Sequence, residues 1–187
     1  RDVEHGEMVV ISKTGIESVR PFPAARARPC AFEYVYFAMP DSVVNGLSVY
    51  EVRKRMGERL AAECGVPVDV VVPVPDSGVP AALGYAQASG VPYEMGIIRN
   101  HYVGRTFIQP TQSARELSVR MKFSPNRAVL AGKRVMLIDD SIVRGTSTIR
   151  VVRMVREAGA AEVHLLSASP PIRWPDFYRI DMPDRDH

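Results

Sequence analysis

The chain has 187 residues, 46% of them hydrophobic and 24% charged, enough to bury one sizeable core and carry a small appendage. Its 24 Lys and Arg against 21 Asp and Glu give a net charge of +3, and the basic residues are scattered, so charge offers no support for a nucleic-acid partner. No apolar run approaches the ~20 residues of a membrane span and no signal-peptide pattern opens the chain, while Cys30 and Cys64 form neither a CxxC pair nor a secreted disulfide framework; the expectation is a reduced, soluble, cytoplasmic protein without membrane contact.

The chain opens on Arg1, and residues 7–12 read as a strand already in progress, which implies that an upstream domain has been removed. Residues 1–29 then read as a strand pair or edge followed by a linker rich in proline and small residues. Residues 32–37 are aromatic and β-branched enough for a strand, and 41–46 carry turn chemistry. The spacing of Val49, Val52, Met56 and Leu60 predicts a helix over 48–64, with Arg53, Lys54, Glu58 and Arg59 on its other face and Gly65 ending it.

Residues 68–74 form a nearly unbroken β-branched run, the pattern of a parallel strand buried on both faces. A helix over 79–89 and a further strand over 92–98 follow. Residues 100–126 are polar, basic and weakly periodic, a long connection of the kind that serves as a lid. A strand over 134–138, a polar turn over 139–146, a helix over 147–158 capped by Gly159 and a strand over 163–168 complete the pattern. Alternating strands and helices predict an α/β fold with a mainly parallel, doubly wound sheet.

Two strand-to-helix turns carry the chemistry. The segment VMLIDDSIVRGTST over 135–148 delivers Asp139 and Asp140 at the end of a buried strand, then opens a helix with Arg144, Gly145, Thr146 and Ser147. Backbone amides around Gly145 to Ser147 suit a phosphate at the positive end of a helix, and the two carboxylates suit a sugar diol or a Mg²⁺ ion. In the plainer reading, the aspartates end a strand and a hydroxyl caps the helix. The second turn, VPVPDSGVP over 72–80, places Asp76, Ser77 and Gly78 after another strand, where consecutive amides make an anion nest and Ser77 could reach the same metal. Neither a Walker A loop nor a GxGxxG fingerprint occurs.

The order acid, acid, four residues, Gly-Thr-Ser is similar to the phosphoribosyl pyrophosphate motif of type I phosphoribosyltransferases. With RNHYVGRTFIQP over 99–110, EYVYF over 33–37, DSVVNGL over 41–47, PPIR over 170–173 and IDMP over 180–183, the chain resembles the glutamine phosphoribosylpyrophosphate amidotransferases over nearly its whole length. That resemblance implies a type I phosphoribosyltransferase fold with a mobile lid. Residues 1–29 would be the remnant of a glutaminase domain and its linker, and 30–187 a phosphoribosyltransferase domain truncated at its C-terminus.

The implied reaction is transfer of ammonia, drawn from glutamine in the complete enzyme, to phosphoribosyl pyrophosphate, giving 5-phosphoribosylamine and pyrophosphate in the first step of purine synthesis. Without an N-terminal cysteine nucleophile, glutaminase activity is not expected of this chain alone. Carried over residue by residue, Ser77, Asp139 and Asp140 fall on the Mg²⁺ site, Arg144 to Ser147 on the 5-phosphate loop and Asp76 to Gly78 on the pyrophosphate loop. Tyr102, Arg105 and Lys122 fall in the lid, as residues that engage substrate or complete the ammonia route.

The resemblance further implies a homo-oligomer inhibited by purine nucleotides. Some members hold an iron–sulfur cluster on four cysteines. Here Cys30 matches one ligand but Asp176 stands at another, so no cluster is expected and Cys30 reads as a small buried or half-buried residue. Met39 and Arg179 also depart from the family pattern. Three alternatives stand beside this reading: a regulator of the same fold that binds phosphoribosyl pyrophosphate without catalysis, a nucleobase phosphoribosyltransferase, and a domain inactive without its glutaminase partner.

Overall fold

The computed structural model describes residues 3–23, 28, 30–101, 122–143, 145–171 and 173. The chain divides into two compact units, Arg1–Ala31 and Phe32–His187. In the first, β1 (Met8–Ser12) and β2 (Gly15–Val19) form an antiparallel hairpin with Met8 opposite Val19 and Ser12 opposite Gly15. Ion pairing of Arg20 with Glu4 and a hydrogen bond from Ser18 to Glu7 tie its ends.

The second unit begins with a correction. Residues 33–37 form a single π-helical turn, Glu33–Phe37, closed by the Ala38 amide on the Glu33 carbonyl at 3.1 Å. The aromatic and β-branched composition favours a strand, but tertiary contacts override that preference. The Arg53 guanidinium takes the carbonyls of Tyr34 and Ala38, and the Tyr34 hydroxyl donates to the Val44 carbonyl. The turn chemistry of 41–46 becomes a small hairpin, β3 (Val43–Val44) and β4 (Leu47–Ser48), joined by Asn45 and Gly46, both at positive φ.

Helix α1 spans Val49–Glu63, with the Ser48 hydroxyl accepting from the Glu51 amide as its N-cap. It stops at Cys64, which is extended, so Gly65 does not cap it. The buried stripe also differs from the expected one. Val49, Arg53 and Gly57 face inward at i, i+4 spacing, while Val52, Met56 and Leu60 are half-buried flanks. Arg53, expected on the outer face, is therefore interior.

The central sheet is parallel in the order β5 (Val70–Pro73), β8 (Arg134–Asp139), β9 (Glu162–Ser167). Alternation along these strands feeds two cores. Val70, Val72, Val74, Val135 and Leu137 point to one side, where they meet Val151 and Val155 of a later helix. Val71, Met136 and Ile138 point to the other, against Ala81, Ala82 and Tyr85 of α2 (Val79–Ser89). Burial on both faces is what the continuous apolar run reflects, and each such side chain contributes roughly 1.5–3 kcal/mol.

α1 packs on α2 with little room. A Cβ on Gly57 would lie 1.8 Å from the Ala81 carbonyl oxygen, and one on Gly84 would lie 2.0 Å from that of Lys54. Backbone thus meets backbone.

The strand expected over 92–98 is divided. Tyr93 makes an isolated parallel bridge to Val71, and β6 (Ile97–Arg99) pairs antiparallel with β7 (Phe123–Pro125) instead. Gly96 separates the two pieces and lies so close to Val72 and Leu130 that a Cβ would come within 2.8 Å of each. A four-residue helix α3 (Arg127–Leu130) follows, too short to leave a periodic signal. Helix α4 (Thr146–Glu157) begins at Gly145 and ends at Ala158, with Gly159 beyond it at φ 101°. Among the described residues no helix is long and apolar enough to cross a membrane.

Candidate functional site

Because β5 and β8 are adjacent and parallel, their carboxyl ends release two turns side by side. The Val74 amide donates to the Ile138 carbonyl at 2.9 Å, and the Gly78 amide donates back to the Val74 carbonyl at 3.0 Å. A Cβ on Gly78 would sit 2.4 Å from the Ile138 carbonyl oxygen, so only glycine lets the Asp76–Gly78 turn lie against the start of the acidic turn. The Pro75–Asp76 peptide bond is cis. Asp76 is exposed and ion-paired with Arg99 at the end of β6. Ser77 is half-buried and Gly78 buried.

Asp139 and Asp140 close β8. The Asp140 amide donates to Asp139 Oδ1 at 2.9 Å and the Ser141 amide to Asp140 Oδ1 at 2.7 Å. Backbone amides of Ala168 and Ser169 donate to the Asp139 and Asp140 carbonyls, anchoring the turn to the end of β9. Burial holds the Asp139 carboxyl well above the usual carboxylate range, and its hydrogen bond to and repulsion from Asp140 add to the effect. Asp140 is 7% exposed, and its Oδ2 is the buried side-chain oxygen or nitrogen without a hydrogen-bond partner among the described residues. An orphaned carboxylate oxygen beside a second acidic group calls for a cation or a donor.

Gly145 starts α4 in the left-handed region, at φ 68° and ψ −12°, and no side chain caps the helix. Thr146 and Ser147 are exposed. The first amides of a helix have no acceptor within it, so this end can receive an anion. The plainer expectation, a hydroxyl capping the helix, is not what the geometry contains.

Of the other sequence candidates, Tyr102, Arg105 and Arg144 lie outside the described residues, as do Asp176 and Arg179. Lys122 is described. Its carbonyl accepts from the Asn100 amide at 2.8 Å, and its Nζ lies 5.3 Å from the centre of the Phe123 ring. The ladder of β6 and β7 therefore joins positions 100 and 122, but no described contact brings the Lys122 side chain to the two turns. Met39 is exposed, and Cys30 and Cys64 are free and half-buried.

Sequence reasoning did not single out Arg99 for the site and did not foresee the burial of Arg53. Arg99 had only its position at the end of a strand as a signal. Arg53 lay within a helical pattern that assigned it to solvent.

Together these features describe a doubly wound α/β protein with a candidate ligand site at the carboxyl edge of its parallel strands. Comparison makes the class specific: the phosphoribosyl transferase domain model matches residues 46–168, and the chain belongs to that family. It is 59% identical to the amidophosphoribosyltransferase of Rhizobium etli, over 100% of the chain and 38% of the relative. It is 54% identical to that of Synechocystis, over 100% and 38% respectively. Among solved structures, the glutamine phosphoribosylpyrophosphate amidotransferase of Bacillus subtilis in complex with ADP and GMP superposes with a TM-score of 0.83 at 53% identity, covering 99% of this chain and 41% of that one. The chain thus spans well under half the length of the relatives it matches.

Proposed function

We propose that this chain carries the synthase half of an amidophosphoribosyltransferase reaction: ammonia attacks the anomeric carbon of phosphoribosyl pyrophosphate, and 5-phosphoribosylamine and pyrophosphate are released. The observation that carries this reading is the convergence at one sheet edge of the Asp139–Asp140 pair, the uncapped start of α4 and the Asp76–Gly78 turn. Relatives bearing that activity, at more than half identity over the whole chain, support it.

The residues suit a divalent cation. Asp140 Oδ2 is buried without a hydrogen-bond partner among the described residues, and burial, with Asp140 beside it, raises the Asp139 pKa to about 7, a shift that an added cation would offset. Asp139, Asp140 and Ser77 would hold Mg²⁺. Among the described residues no cluster of three or more His, Cys, Asp or Glu forms a cage, which suits an ion that keeps waters and takes oxygens from the substrate. When bound, Mg²⁺ supplies charge neutralisation for the departing pyrophosphate.

The chain's own groups then divide the work. Amides at Gly145 to Ser147, with Arg144, take the 5-phosphate, and Asp139 and Asp140 hold the ribose hydroxyls. The Asp76–Gly78 turn receives the pyrophosphate, whose negative charge grows as the bond to the anomeric carbon breaks and the ring gains oxocarbenium character. Arg99, paired with Asp76 before substrate arrives, is placed to meet that charge. Free ammonia needs no strong base, so orientation and electrostatics carry the rate. Tyr102, Arg105 and Lys122 are proposed to engage substrate or the ammonia route.

Glutamine hydrolysis is assigned to none of these residues. Purine nucleotides, which share the ribose 5-phosphate of the substrate, are proposed as inhibitors at or near this site. Oligomerisation and a cytoplasmic setting complete the proposal.

Pyrophosphate release from phosphoribosyl pyrophosphate and Mg²⁺ tests the reading, with ammonium chloride at alkaline pH or glutamine as nitrogen source. Ammonia-dependent release that Asp139→Asn/Asp140→Asn loses, with none from glutamine, is the expected result. Binding of phosphoribosyl pyrophosphate without release would leave a binding protein; no binding would overturn the site.

A further inference from the structure

Arg99 and Asp76 reach each other from two stretches of chain that are each held by backbone. Arg99 ends β6, where it is the register partner of Phe123 in β7, and the fully buried Ile97 anchors the strand. Asp76 lies in the turn after β5, which the Val74 and Gly78 amides fix through the Ile138 and Val74 carbonyls. Across the gap Arg99 Nη1 donates to Asp76 Oδ2. Water reaches both partners: the Arg99 side chain is 36% exposed and that of Asp76 53%. Ion pairs of such exposure are weak. This one therefore does little to hold the turn, which the backbone hydrogen bonds and the close approach of Gly78 to Ile138 already secure.

The pair does, however, occupy a guanidinium beside the turn, and carboxylate and phosphate oxygens compete for the same guanidinium donors. We propose that Asp76 is an internal competitor for the anion that the Asp76–Gly78 turn receives: its carboxylate holds Arg99 while the site is empty and yields the guanidinium to the pyrophosphate group of the ligand. This role rests on the reading of the turn as the pyrophosphate site. Because both backbones are fixed, the exchange needs only side-chain rotation, and a weak pair gives way to a group of higher charge. The same competition lowers affinity for the anion by the fraction of time that Arg99 is engaged. On the product side it favours departure, since Asp76 recaptures Arg99 as pyrophosphate leaves.

The test measures binding of inorganic pyrophosphate to the complete chain by calorimetry, at one fixed Mg²⁺ concentration. Wild type, Asp76→Asn, Arg99→Gln and the double variant are compared, with thermal unfolding to establish that each is folded. Asp76→Asn should bind about three- to fivefold more tightly, and Arg99→Gln about tenfold more weakly. Removing a negative charge beside an anion site tightens binding in any case, so the double variant decides. With Arg99 replaced, adding Asp76→Asn should recover less than about twofold. An equal gain in both backgrounds assigns the effect to general charge and overturns the exchange. Binding that Asp76→Asn leaves unchanged or weakens overturns it as well. Asp76→Ser replaces Asp76→Asn if the latter does not fold. Folded proteins that all fail to bind pyrophosphate and phosphoribosyl pyrophosphate would defeat the pyrophosphate reading of the turn, and the exchange with it.

Discussion

The carbonyl of Ile138 accepts a hydrogen bond from the Val74 amide and lies where any side chain on Gly78 would have to go. One oxygen at the end of β8 therefore fixes the distance between the acidic turn and the Asp76–Gly78 turn. Gly78→Ala should force them apart, since the clash at 2.4 Å is with backbone. The expected cost is about 1–3 kcal/mol of stability. Affinity for phosphoribosyl pyrophosphate, measured by calorimetry, should fall by more than tenfold.

The interface of α1 and α2 makes a purely structural counterpart. Gly57→Ala and Gly84→Ala each drive a methyl into a carbonyl on the facing helix, and urea unfolding should show losses of at least about 1–3 kcal/mol. Gly65→Ala, with nothing within 4 Å of the added carbon, should leave the midpoint nearly unchanged.

Hydroxyls at the start of α4 separate capping from binding. Because no side chain caps this helix, Thr146→Ala and Ser147→Ala should change stability by less than about 0.5 kcal/mol. Each should nevertheless weaken phosphoribosyl pyrophosphate binding about tenfold, the scale of a lost hydrogen bond to a charged group. Equal binding by both variants would remove the hydroxyls from the proposed phosphate site.

Asp69 and Arg134 give the fold an acid-sensitive tie at the opposite ends of the same strands. The Asp69 carboxylate accepts from the Arg134 amide at 2.8 Å and from its guanidinium at 2.8 Å. These bonds hold its pKa down to about 2. A depressed folded pKa contributes stability that is present above the unfolded value, near 3.9, and lost as pH falls toward the folded one. The difference in urea midpoint between wild type and Asp69→Asn should be full at pH 6 and shrink below about pH 4.

Much of this protein is legible from local signals. The continuous apolar runs at β5 and β8, the periodicity of α1, the helix at α2 and the glycine after α4 each report an environment that nearby residues encode. The IDD and GTS groups, separated by a turn, likewise mark the acidic turn and the helix start without reference to the rest of the chain. Propensity misled where distant groups claimed the backbone. Residues 33–37 have strand composition, yet the carbonyl of Tyr34 and that of the capping Ala38 are taken by a guanidinium from α1. The 92–98 segment divides because Gly96 has to fit against Val72 and Leu130.

The sequence by itself determined the fold class and which short segments carry the chemistry, because strand and helix periodicities and turn residues act over a few positions. Only the tertiary structure decided that Arg53 is interior, that Arg99 reaches Asp76 and that Asp140 keeps one buried oxygen without a hydrogen-bond partner among the described residues. Those facts depend on which elements become neighbours, and no pattern within a few positions of the chain records that.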